Sequence, residues 1–212
     1  MEIKCVVFDL DGTLVKSHKT ILNTTIKTLE KLKISTDFNT EIFYNMLGHH
    51  FREIFEACNI AVHNVENFID IYKDLYFDFI DDSELYENVE LVLRELNNNS
   101  IRTGLLTTKG QEQAVKISEH FNIAKNLDII EGRKKEIAIK PAPDQLLKIC
   151  NELNIKPENT LMVGDTELDI LCGKNASAKT CAVSYGYRKL EDIKKYKPDF
   201  LIDDLKEILK FV

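Results

Sequence analysis

Residues 6–15 read Val-Val-Phe-Asp-Leu-Asp-Gly-Thr-Leu-Val, and the fold follows from them. Val6, Val7 and Phe8 form an apolar run of β-branched and aromatic residues, the mark of a buried strand. The run stops at two carboxylates, Asp9 and Asp11, followed by Gly12. In an open α/β sheet, ligands bind beyond the carboxyl ends of strands, so this strand delivers two acids to the edge where chemistry occurs. One residue separates them, so in an extended chain both side chains approach a bound group from the same side. Two close carboxylates repel and call for a cation or a shared proton; an oxygen-ligated Mg²⁺ answers that at neutral pH. Taken alone, an Asp-x-Asp reads equally well as a polar turn after a strand.

The chain has 212 residues, room for one α/β domain or for a core plus a small second one. Charged residues make up 30% and hydrophobic ones 44%, a balance that excludes intrinsic disorder. The net charge is −7, and no basic stretch is long enough for a nucleic-acid surface. Arg133-Lys134-Lys135 reads as a solvated loop. No run reaches the ~18 apolar residues of a membrane span. The N-terminal residues form a strand ending in acids rather than a secretory signal, so the expected location is cytoplasmic. Cys5, Cys58, Cys150, Cys172 and Cys181 are scattered and lack Cys-x-x-Cys spacing, which predicts reduced, mostly buried thiols.

From about residue 16 to 83 the periodicity is helical. A short helix is expected around Ile26, Leu29 and Leu32-Lys33-Ile34, a second around Ile42, Phe43, Met46 and Leu47, and a third from Phe51 to Cys58 after Gly48. A fourth carries Val65, Phe68, Ile69, Tyr72, Leu75, Tyr76, Phe79 and Ile80 in steps mostly of three and four. These helices form an insert, 16–83, within an α/β domain built from 1–15 and 84–212. In that domain strands are expected at Ile101–Thr108, Leu127–Glu131, Thr160–Val163, Lys179–Ser184 and Phe200–Ile202. Helices lie between the first four, with Pro143 in the first turn of one of them. The alternation predicts a doubly wound parallel sheet.

Three more candidate sites lie at the ends of strands or turns. Thr107-Thr108-Lys109 follows Leu105-Leu106, and a hydroxyl there, ahead of a helix N-terminus, suits a phosphate or serves as an ordinary N-cap. Lys140, before Pro141, sits where it can neutralise an anion, or is a solvated loop residue. Gly164-Asp165-Thr166-Glu167-Leu168-Asp169 places a second pair of acids after an apolar strand, with Asp165 positioned to complete an oxygen-ligated metal site.

In this order the four segments resemble the four motifs of the haloacid dehalogenase-like phosphatase superfamily. The helical insert after Asp-Gly-Thr-Leu resembles its C1-type cap. Within the superfamily the chain is most similar to phosphoglycolate phosphatase-like enzymes, through Leu47–Phe55, Lys140–Asp144, Leu161–Asp169, Ser184–Tyr187 and Pro198–Asp203. The resemblance implies a Rossmann-like core and a cap that closes over the site to exclude water. It assigns Asp9 as the nucleophile that becomes an aspartyl-phosphate, and Asp11 as general acid then base, with its carbonyl on Mg²⁺. Thr107 would hold the transferring phosphoryl group. Lys140 would offset the charge on Asp9 and phosphate. Asp165 would ligate Mg²⁺, and Asp169 would act nearby through water or Lys140. The second acid, Asp11, argues against the dehalogenases, whose halide leaving group needs no proton.

Further substrate contacts are expected from Thr108, Lys109, His49 and Arg52; Gly48, His49, His50 and Arg52 form the cap loop expected to face the core, or are solvated residues at a helix start. Arg52 suits a carboxylate or second phosphate. Lys16 and the Ser177-Ala178 pair depart from the family pattern, and Lys16 adds positive charge at the cap hinge. The expected substrate is a small anionic phosphomonoester, 2-phosphoglycolate first, with inorganic pyrophosphate as the alternative and no nucleic-acid or membrane partner. A sugar phosphomutase and a non-catalytic scaffold are the rival readings, and the expected assembly is a monomer or homodimer.

Overall fold

The structure, a computed structural model, describes residues 2–212. It divides into two compact units, one running up to Val15 and resuming at Leu85–Val212, the other Lys16–Glu84. In chain order the first elements are β1 (Cys5–Phe8), β2 (Val15–Lys16), α1 (His18–Lys31), α2 (Thr40–Asn45), α3 (Phe51–Ala57) and α4 (Val65–Tyr76). Then come β3 (Glu84–Leu85), α5 (Val89–Asn98), β4 (Arg102–Gly110), α6 (Gln111–His120), β5 (Ile129–Arg133) and α7 (Asp144–Glu152). The chain finishes with β6 (Thr160–Gly164), α8 (Glu167–Asn175), β7 (Lys179–Val183), α9 (Leu190–Lys195) and β8 (Phe200–Ile202).

Among the described residues the core unit forms a six-stranded sheet in the order β5-β4-β1-β6-β7-β8. Every pairing is parallel. Such a sheet is covered on both faces, and β1 shows it: Cys5, Val6, Val7 and Phe8 are all fully buried. Cys5 and Val7 pack on one face with Leu146 and Ile149 of α7 and Cys172 of α8. The chain leaves β1 toward β4 and β5, then crosses back to β6 on its other side. The topological switch point therefore lies at β1, where a ligand crevice forms in doubly wound sheets. Phe8 pairs with Leu105 of β4 and Val163 of β6, so Asp9, Thr107 and Asp165 leave the sheet at the same edge.

The insert is all-helical apart from the short strand residues at its two ends. Its centre is aromatic: Phe51 lies 5.0 Å from Phe68 and 4.7 Å from Tyr72 between ring centroids, and Phe55 lies 4.7 Å from Phe68. The first helix is longer than expected. Its buried face is lined with Thr20, Thr24, Thr25 and Thr28, which carry no apolar periodicity. Thr24 and Thr28 bury by donating their hydroxyls to the carbonyls four residues earlier, at 2.7 Å each. Ile34 lies outside this helix, past Lys33 at φ 58°. The fourth helix ends as α-helix at Tyr76 and tightens to a 3₁₀ turn over Phe77–Asp82. Pro143 is the N-cap of α7 rather than a first-turn residue. The sequence reading omitted α9, where Ile193 is the buried residue. No helix among the described residues is long and apolar enough to cross a membrane.

Candidate active site

Gly12 shapes the site first. It adopts φ +84°, and a Cβ there would stand 2.3 Å from Oδ2 of Asp165. Both the backbone and the contact exclude a side chain, so the turn after β1 lets Asp165 lie directly against it. Thr13 then donates its hydroxyl to Oδ1 of Asp165 at 3.2 Å, and the backbone N–H of Tyr187 donates to Oδ2 at 2.7 Å. The opening string and the fourth motif are thus joined through Asp165.

Lys140 joins the rest. Its ammonium donates to Oδ1 of Asp9 at 2.6 Å and to Oδ1 of Asp169 at 2.5 Å, with all three side chains nine-tenths or more buried. The second oxygen of Asp169 accepts from the backbone N–H and hydroxyl of Thr166, at 3.0 and 2.7 Å, closing a capping box at the start of α8. Asp169 therefore spends one oxygen on Lys140 and the other on its own helix, and it acts as the residue that holds the lysine.

Asp9, Asp165 and Asp169 each place one oxygen within 4.8 Å of the others. Lys140 bonds two of these buried carboxylates, Asp9 and Asp169, and the proton affinities of Asp165 and Asp9 are shifted. Burial, reinforced by Asp169, pushes the Asp165 carboxyl up to about 7, against the opposing pull of the Tyr187 N–H. Burial also raises Asp9 well above the carboxylate range, opposed by Lys140 and reinforced by the neighbouring acids. Burial alone would lower Lys140, but its two carboxylate partners win and raise it. The surplus of buried negative charge and an all-oxygen donor set fit a hard divalent cation such as Mg²⁺ and do not suit a thiolate- or imidazole-seeking metal.

Asp11 points elsewhere: its Oδ2 pairs with the ammonium of Lys109 at 3.1 Å, both side chains being about nine-tenths buried. Thr107 is buried, and its hydroxyl accepts from the backbone N–H of Lys109 at 3.2 Å. It is not at a helix start. The β4 strand runs on to Gly110, which is the N-cap of α6, with its register shifted between Leu106 and Gly110. The irregular strand end, not a helix dipole, shapes the Thr107–Lys109 segment, in which Thr107 is buried and Thr108 is partly exposed.

Within the insert, His50 is the N-cap of α3, accepting from the N–H of Arg52 and closing a capping box with Glu53. His49 contacts Glu53 at 3.3 Å, and Arg52 is exposed. Lys16 pairs with Glu84 at 3.2 Å on the surface of the same unit. The sequence reading missed Thr13, Thr166 and the Tyr187 N–H. Thr13 and Thr166 stand inside the quoted motifs, whereas a backbone donor leaves no mark in a sequence.

A parallel sheet that gathers buried acids and a lysine at its switch point is equipped to receive a cation or an anionic group. The comparisons give the family. The model of the haloacid dehalogenase-like hydrolases matches residues 6–183. A Bacillus cereus protein named pyrophosphatase PpaX is 33% identical over 99% of this chain and 96% of its own. A Clostridium perfringens relative, provisionally given the same name, is 36% identical over 99% and 97%. Among solved structures, a Streptococcus pneumoniae hydrolase of the family aligns with TM-score 0.86 at 24% identity, covering 99% and 98% of the two chains. CbbY from Rhodobacter sphaeroides, solved with phosphate, aligns with TM-score 0.85 at 17% identity over 97% and 96%. At those identities the structures share the fold. The chain belongs to the haloacid dehalogenase-like hydrolase family, and it is an enzyme, a phosphatase of that family.

Proposed function

We propose that the protein is a Mg²⁺-dependent phosphatase whose preferred substrate is inorganic pyrophosphate. The observation that carries this reading is the Lys109–Asp11 pair at 3.1 Å, beside the Lys140–Asp9 pair at 2.6 Å. Each reacting carboxylate has its own ammonium. Lys140 meets the charge of the phosphoryl group under attack, and Lys109 meets charge on the group that leaves. A leaving phosphate carries such charge; an alkoxide from a neutral alcohol does so only in passing. The names of the 33% and 36% identical relatives support the same substrate. 2-Phosphoglycolate, whose leaving group bears a carboxylate, is the comparison substrate.

In this reading Asp9 attacks phosphorus and forms an aspartyl-phosphate while the bond to the leaving oxygen breaks. Asp11 gives its proton to that oxygen, then takes one from the water that attacks the aspartyl-phosphate, so phosphate departs and Asp9 returns as carboxylate. Thr107 directs its hydroxyl to the phosphoryl oxygens. Lys140, held by Asp169, steadies the charge as Asp9 and phosphate close. Asp9 and Asp165 would hold Mg²⁺, which when bound neutralises phosphoryl charge and aligns it for displacement.

Initial rates of phosphate release from pyrophosphate, 2-phosphoglycolate, sugar phosphates and nucleotides, with Mg²⁺ and with chelator, test the proposal. The highest kcat/KM is expected for pyrophosphate, with none in chelator. A clear preference for any phosphomonoester would overturn the substrate reading.

A further inference from the structure

The loop after β7 is laid on Asp165 residue by residue. Ser184 donates its N–H to the Ile202 carbonyl at 2.9 Å, tying the loop's start to the sheet. The Tyr185 hydroxyl donates to the Thr13 carbonyl at 3.1 Å. Gly186 lies so close that a Cβ would stand 2.1 Å from Cβ of Asp165, and Tyr187 donates its N–H to that carboxylate. Arg188 ends the loop. Its Nε and Nη2 donate to the two carboxylate oxygens of Glu167 at 2.8 and 3.1 Å, a two-pronged pair onto the first residue of α8.

This pair is buried, the Arg188 side chain 8% and the Glu167 side chain 16% exposed. Nη1 of Arg188 is itself buried and makes no hydrogen bond. A buried ion pair with an unspent donor contributes little to stability against an apolar pair of similar size; its use lies in fixing geometry. The geometry it fixes is that of Asp165. Glu167 is two residues beyond Asp165 in the chain, and Arg188 is one beyond the Tyr187 N–H that orients the carboxylate. The clamp ties the chain just after Asp165 to the loop laid on it, and the planar guanidinium suits it because its two contacts set an angle as well as a distance.

We propose that the Arg188–Glu167 pair is a positioning device for the metal site, fixing the loop whose Tyr187 N–H and Gly186 backbone aim Asp165. This rests on the reading of Asp165 as a Mg²⁺ ligand. Residues that orient a ligand from behind shift metal affinity without touching the ion, by about tenfold or more when removed.

The test is Mg²⁺ titration by calorimetry, without substrate, alongside thermal unfolding. The wild-type protein is compared with Arg188→Lys and with the apolar double variant Arg188→Met, Glu167→Leu. The double variant is expected to unfold at or above the wild-type temperature while its Mg²⁺ dissociation constant rises about tenfold. Arg188→Lys, which keeps the charge but loses the fork, is expected to fall between the two. If the double variant does not fold, Glu167→Gln carries the same expectation for Mg²⁺ affinity, with a lower unfolding temperature. Arg102→Ala, which breaks the ion pair with Asp128 at 2.9 Å, is the control and should leave Mg²⁺ affinity unchanged. Equal affinities in wild type and clamp variants, or an equal loss in the control, overturn the inference. A wild-type protein that binds no Mg²⁺ overturns the metal reading beneath it.

Discussion

The ammonium of Lys140 stands 2.6 Å from Oδ1 of Asp9, across 131 residues of chain, and 2.5 Å from Asp169. A lysine between two buried carboxylates is fixed by both and free to leave neither. Replacing it strips the charge from a closed site. Lys140→Met is expected to lower kcat by at least a hundredfold. It should also destabilise the metal-free protein by about 3–5 kcal/mol, since Asp9 and Asp169 stay buried without their countercharge. Urea unfolding and steady-state rates check both, and a variant as stable and as active as the wild type would contradict the role given to Lys140.

The pH dependence of stability has a definite sign. Asp165 is raised from 3.8 to about 7, so between those values the folded protein holds a proton that the unfolded chain has released. The stability from this group is fully present below about pH 4 and is lost as pH rises through about 7. Asp9, also raised, acts in the same direction. Melting temperatures in chelator should therefore fall from pH 5 to pH 8 beyond the change in an Asp165→Asn variant. Added Mg²⁺ should restore more at pH 8 than at pH 5. A Mg²⁺ effect that is the same at both pH values would contradict the charge surplus assigned to this cluster.

Lys109 sets a prediction on selectivity. Lys109→Met removes the cation beside Asp11 and should lower kcat/KM for pyrophosphate by about tenfold or more, the worth of a charge-assisted contact. Hydrolysis of p-nitrophenyl phosphate, whose leaving group carries one delocalised charge, should fall less. An equal loss on both substrates would mean that Lys109 serves Asp11 and not the leaving group.

Gly12→Ala tests the close approach that builds the site. The φ of +84° costs a non-glycine residue on the order of 1–3 kcal/mol, and the new methyl meets Oδ2 of Asp165. Lower stability together with a higher Mg²⁺ requirement is expected in thermal unfolding and metal titration. A variant with wild-type Mg²⁺ dependence would show that Asp165 can shift without consequence.

Much of this was legible in the chain. The apolar run ending at Asp9, and the alternation after residue 84, specify a parallel sheet because buried strands must be apolar on both faces and helices amphipathic. What stayed hidden has physical causes. The helix α1 buries threonines whose hydroxyls bond to its own backbone, so no apolar stripe marks it. The site of Thr107 looked like a helix start because hydroxyls favour N-caps, but the strand continues to Gly110. The histidines of the insert carried a ligand's chemistry, yet the capping box at His50 uses the same atoms for local structure. Asp9, Asp165 and Asp169 were separate marks in the sequence, and only the sheet register brings them within 4.8 Å. Arg188 lies outside every motif, and Glu167, though inside the fourth, marks no role of its own.

The central claim is that Asp9 attacks phosphorus in a Mg²⁺-dependent hydrolysis of pyrophosphate, and phosphate release by Asp9→Asn tests it most directly. The substitution removes the nucleophilic charge and almost no volume, so the fold should persist. With Mg²⁺ present, the account predicts rapid release by the wild-type protein, none in chelator, and at least a thousandfold loss in Asp9→Asn. Release by a pure, folded Asp9→Asn variant at the wild-type rate would contradict it.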